Sequence, residues 1–113
     1  MEIRYFIKEV ATATETNPSF AGVVEVDICG KNEECVYSDF LYHSRDLTDN
    51  PICMREYGYR TKNRAITEAT KQAKESREYD IKYGYWEYKF YVVEYTIDDN
   101  GDVTLTDEVE VVI

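Results

Sequence analysis

Alternating apolar and polar positions dominate this chain, and they predict strands before anything else. In residues 2 to 11, "EIRYFIKEVA", Ile3, Tyr5 and Ile7 fall on one face and Phe6 and Val10 on the other. "TETNPS" then interrupts the pattern with a proline, which lacks an N–H and restricts the residue before it, as a turn requires. Alternation returns over residues 20 to 29, "FAGVVEVDIC", and 35 to 43, "CVYSDFLYH", with "GKNEE" between them as a hairpin connection. Placing Cys29 opposite Cys35 sets Ile28 against Val36, Val26 against Ser38 and Val24 against Phe40 on one apolar face. The other face then opposes Glu25 to Asp39 and Asp27 to Tyr37, where facing carboxylates repel unless water or a partner's cation meets them.

Residues 44 to 60 break the alternation with Asn50-Pro51 and Gly58 and are expected to form an irregular connection. The period then changes from two to 3.6. In "TKNRAITEATKQAKESREY", residues 61 to 79, Ala65, Ile66, Ala69 and Ala73 make one narrow stripe, and Thr61 or Asn63 is the N-cap candidate. Arg64 and Glu68, Lys71 and Glu75, and Lys74 and Glu78 sit four apart on the wet side. Such a helix lies across a sheet with small residues at the contact, so it removes little apolar area from water.

"YDIKYGYWEYKFYVVEY" follows, with eight aromatic side chains in residues 79 to 95. Asn100-Gly101 then offers a type I′ turn, which would pair Asp99 with Asp102, Val92 with Val109 and Phe90 with Val111. Trp86, Tyr88, Phe90 and Val92 share the face of Val109 and Val111, and that face reads as core. The opposite face, with Tyr85, Glu87, Lys89, Tyr91, Val93 and Tyr95, alternates tyrosine with charge, the pattern of a partner-facing surface or of one covered by another strand. The sum is one α+β domain over residues 1 to 113: a mainly antiparallel sheet of about five strands with one helix inserted between strands 3 and 4.

Charge sharpens the functional reading. The chain carries a net charge of −10, and it is unevenly spread. Residues 1 to 50 hold 4 Lys and Arg against 10 Asp and Glu, residues 51 to 89 hold 9 against 6, and residues 90 to 113 hold 0 against 7. Direct nucleic-acid binding, which depends on displacing counterions with many cations, is disfavoured. No apolar run approaches a membrane span, and "MEIRYFIKEV" lacks the basic opening and apolar stretch of a signal peptide, so a cytoplasmic location is expected. Cys29, Cys35 and Cys53 match neither a CxxC motif nor paired zinc-ligand spacing, and reduced thiols are expected.

Catalysis finds little support. His43 is the single histidine, and on one strand it would lie about 13 Å from Asp39 by strand rise. "DDNGD" has its Gly in the wrong place for a calcium loop, and no glycine-rich phosphate loop is present. No cofactor, metal site or catalytic residue is assigned.

The expected function is therefore binding. An acidic, tyrosine-rich sheet surface formed by Tyr85, Glu87, Tyr91, Tyr95, Glu25 and Asp39 would block a basic partner protein, as small acidic inhibitors of phage anti-defence or immunity type do by analogy. A second expectation is sequestration of a nucleotide-like anion through Arg55, Tyr57, Tyr59, Arg60, Lys62 and Arg64, where cations and tyrosines cluster before the helix, in a monomer or a homo-oligomer. A third is a structural or assembly subunit whose last strand, ending "VEVVI", pairs across an interface.

Overall fold

The computed structural model describes residues 1–40 and 43–113, so Leu41 and Tyr42, at the end of the expected strand 35 to 43, lie outside the described residues. Among the described residues six antiparallel strands form one sheet: β1 (Glu2–Ala13), β2 (Val24–Cys29), β3 (Cys35–Phe40), β4 (His43–Asp46), β5 (Trp86–Ile97) and β6 (Val103–Val111), in the order β4-β3-β2-β1-β5-β6. Two helices, α1 (Pro51–Tyr57) and α2 (Lys62–Tyr83), lie between β4 and β5. The α+β class holds, but the sheet has one strand more than expected, and the helices follow the fourth strand, not the third.

The extra strand is β4, which pairs antiparallel with β3, Phe40 opposite His43 and Asp39 opposite Ser44. The expected irregular connection holds α1 for a local reason. Asn50 caps it, its Oδ1 accepting from the amides of Ile52 at 3.1 Å and Cys53 at 3.2 Å. Pro51 takes the first turn, where no N–H is needed, and the Gly58 amide closes the end on the Met54 carbonyl. Asn-Pro and a following Gly, read as loop punctuation, were helix start and stop.

Helix α2 begins at the Thr61 cap, whose Oγ1 accepts from the Arg64 amide at 3.3 Å. It runs four residues past the expected end, to Tyr83, and is closed by Gly84 at φ 67°, a left-handed C-cap that glycine adopts without a Cβ clash. Tyr79 and Tyr83 consequently belong to the helix, where their rings meet at 4.6 Å.

A core forms on each face of the sheet. Under α2, Ala65, Ala69 and Ala73 pack on Ile7, Phe90 and Val92, with Tyr59 closing the end. On the opposite face Phe6, Ile28, Val36, Val93, Tyr95 and Ile97 surround Met54 of α1. Strand β5 is thus buried on both sides at its centre, which explains its density of large side chains.

Two bulges set the registers. Between β2 and β3, Cys29 does face Cys35, but a bulge after Ile28 shifts every other pair by one: Ile28 opposes Tyr37, Asp27 opposes Ser38 and Val26 opposes Asp39. Between β5 and β6, Val92 opposes Val109 and Phe90 opposes Val111 as expected, yet the turn differs. The connection is wider than a two-residue I′ turn. Asp98 closes it, its backbone bonding Gly101 and Asp102 at 3.0 Å and its Oδ1 accepting from the amides of Asn100 and Asp102 at 2.9 Å. Asp99 and Asp102 are accordingly not a strand pair, and the bulge at Glu94/Tyr95 restores the outer register.

Cys29 and Cys35 form a disulfide with Cα atoms 3.8 Å apart, which overturns the expectation that all three cysteines are thiols; Cys53 is free. No described helix is long and apolar enough to cross a membrane.

Candidate functional site

Glu9 on β1 is paired directly with Asp27 on β2, and Ala11, two residues along, is paired with Glu25. Period two puts all three carboxylates on the face that carries α2. There they line a cavity of about 320 Å³ together with Ala11, Phe40, Trp86 and Tyr88. Ala11 supplies a shallow floor, and the three aromatic residues come from β3 and β5 on either side. An adjoining cavity of about 240 Å³ continues toward the helix, lined by Glu9, Tyr88 and the Glu75, Ser76 and Tyr79 of α2.

The electrostatics of this groove are one-sided. Burial raises the Glu9 carboxyl above the usual carboxylate range, and the charges of Asp27 and Glu25 raise it further. Glu25 is raised by burial and then by Asp27. Asp27 is raised by burial, with a hydrogen bond from Ser38 pulling the other way, and its Oδ1 is buried with no hydrogen-bond partner. Burial also raises the Tyr88 phenol, with Glu9 the first of several neighbouring charges that add to it. Among the described residues no lysine or arginine forms an ion pair with Glu9, Glu25 or Asp27.

The junction beside this groove is well fixed. The Thr14 and Thr16 hydroxyls donate to the Gly84 carbonyl at 2.6 and 2.8 Å, and Asn17 Nδ2 donates to the Tyr85 carbonyl at 3.2 Å. These bonds satisfy backbone groups where α2 ends and β5 begins, and so hold Trp86 and Tyr88 in place.

Of the six residues expected to form one partner-facing surface, only Glu25 lies in this groove. Asp39 is exposed on the other side of the sheet, opposite Val26, because the β2–β3 bulge turns it away from Glu25. Tyr95 is 6% exposed and packs edge-on against Phe6, with ring centroids 5.7 Å apart, so it offers no surface. Tyr91 is half-buried beneath the Lys8 ammonium. Tyr85 and Glu87 are exposed. Glu9, Asp27, Trp86 and Tyr88 were missed as site residues. The signal available was Glu9, an acid on the face of Tyr5, Ile7 and Ala11 in "YFIKEVA".

The second expected cluster also divides. Arg55 bonds Glu2 at 3.2 Å, Tyr57 packs against the Phe6 core, and Lys62 approaches Asp107 at 3.7 Å. Tyr59, Arg60 and Arg64 do line one cavity, of about 350 Å³, with Thr61 and with Lys31 and Asn32 of the β2–β3 turn. Tyr59 is held by paired backbone bonds of 2.8 Å to Tyr5, and burial raises its phenol first, followed by the charge of Glu68. Lys31 gave no sequence signal, because only the fold carries it to Arg60.

No family model matches this chain, and neither a curated protein nor a solved structure matches it, so its function is read from geometry alone.

Proposed function

We propose that the chain is a non-catalytic binding protein that captures a lysine or arginine side chain of a basic partner protein in the acidic groove of Glu9, Glu25 and Asp27. The observation that carries this reading is the convergence of three half-buried, unpaired carboxylates on an aromatic-walled cavity. Holding them together costs free energy in the unbound protein, through desolvation and mutual repulsion. An arriving cation offsets both.

The shape favours an organic cation. Among the described residues no three His, Cys, Asp or Glu side chains are close enough to hold a metal ion together. A guanidinium or ammonium group is larger, can bond separated carboxylates, and gains from the faces of Trp86, Tyr88 and Phe40. The net charge of −10 adds long-range steering of a basic partner. Glu9→Gln and Asp27→Asn should weaken binding chiefly by removing charge from a buried contact, and raised salt should slow association.

Trp86, the only tryptophan, reports on the groove directly. Titrating the protein with arginine-rich and lysine-rich peptides should change Trp86 fluorescence at neutral pH, and less so as pH falls toward about 4, where the raised carboxyls take up protons. The Glu9→Gln, Asp27→Asn double variant should lose the response. An unchanged response in that variant, or none in the parent protein, overturns the reading.

A further inference from the structure

The geometry points to a second binding site, distinct from the acidic groove: we infer that the cavity formed by Lys31, Arg60 and Arg64 over Tyr59 binds the phosphate group of a small phosphorylated molecule. Three cations reach it from two segments far apart in sequence, the β2–β3 turn and the start of α2. Here Lys31 and Arg60 have no carboxylate within ion-pair distance among the described residues, and Arg64 has only a loose contact with Glu68 at 3.6 Å.

The chemistry of the lining matches a phosphate. Arginine presents parallel N–H groups that fit two phosphate oxygens, and lysine adds a point charge. The Tyr59 phenol is a neutral O–H at neutral pH, and it can donate rather than repel. Asn32, held at φ 57° in the turn, adds a neutral side chain to the rim. A volume of about 350 Å³ is at the small end of small-molecule sites and leaves room for a phosphate with a compact organic body.

Two acids oppose this, Glu33 and, beside Arg64, Glu68. Glu33 follows in the same turn and acts on Tyr59 through space. Its presence favours a ligand that brings two negative charges to the arginines over one that relies on long-range attraction. It also disfavours a polynucleotide, which three cations on a −10 chain would hold weakly.

The test is calorimetric titration of the whole chain, with its disulfide intact, against inorganic phosphate, a nucleoside monophosphate and a single-stranded oligonucleotide. The expected result is saturable binding of the monophosphate, with phosphate weaker and the oligonucleotide weaker still per site. Arg60→Glu and Lys31→Glu, both at accessible positions, should each weaken the monophosphate at least tenfold without changing the melting temperature. Glu33→Gln should tighten it, an effect that loss of folding cannot mimic. Absence of monophosphate binding at millimolar concentration, insensitivity to Arg60→Glu and Lys31→Glu, or tighter binding of the oligonucleotide would each overturn the inference. Glu9→Gln leaves this site intact, so its outcome is independent of the acidic groove.

Discussion

Glu9 and Asp27 stand directly opposite each other on neighbouring strands, on the sheet face that α2 covers, with no cation paired to either among the described residues. Like charges in that position destabilise a sheet by about 0.5 kcal/mol, and burial adds to the cost. A fold that tolerates this arrangement carries a local stability deficit, of the kind binding surfaces often carry.

The pH dependence follows in sign. A carboxyl whose folded pKa lies above its unfolded value keeps a proton that the unfolded chain has released, so stability falls as pH rises through that interval. Glu9, Glu25 and Asp27 are all raised. Thermal melts should therefore show the contribution of these groups falling as pH rises from about 4, the ordinary carboxyl range, toward 7, and the Glu9→Gln, Asp27→Asn variant should flatten that slope and melt higher at pH 7. A steeper slope in the variant would contradict the assignment.

Tyr95 makes the corresponding prediction at high pH. Burial pushes its phenol up to about 12, with Asp46 and Glu108 adding to the shift. Above pH 10 the unfolded chain releases this proton and the folded chain does not, so stability should fall as pH rises from about 10 to 12. Absorbance at the phenolate band should show most tyrosines titrating first and one lagging until unfolding. Tyr95→Phe should remove the laggard.

The disulfide closes a loop with a sequence separation of 6. Chain-entropy arguments give about 2 kcal/mol for so short a loop. Replacing both Cys29 and Cys35 by Ser should lower the denaturation midpoint accordingly with little change in slope. It should also loosen Lys31 and Asn32, which the bridge brackets, and so weaken phosphate binding by more than the loss of stability explains.

Gly30 has a packing role. Any Cβ there would overlap the carbonyl of Tyr57, and Phe6 stands at 3.0 Å on another side. Gly30→Ala should destabilise by about 2 kcal/mol, because the obstruction is backbone and cannot rotate away. Chemical denaturation checks this. A neutral effect would mean that α1 shifts freely against β2, which its contact with the Phe6 core argues against.

Much of this architecture was written locally. Alternation marked β1, β2, β5 and β6, the alanine stripe and Thr61 marked α2, and Asn100-Gly101 marked the last turn, because each signal lies within a few residues of what it specifies. The net charge of −10 and its uneven spread likewise need no coordinates. The tertiary structure decided what one-residue shifts decide. A bulge after Ile28 turned Asp39 away from Glu25, and because side chains alternate, that single insertion exchanged the faces of the remaining β3 pairs. Neighbouring strands then chose the company of each acid and each cation. Glu9 met Asp27 across one sheet register, and Lys31 met Arg60 through a turn closed by a disulfide. Such meetings depend on pairings many residues apart, where no local periodicity carries the information.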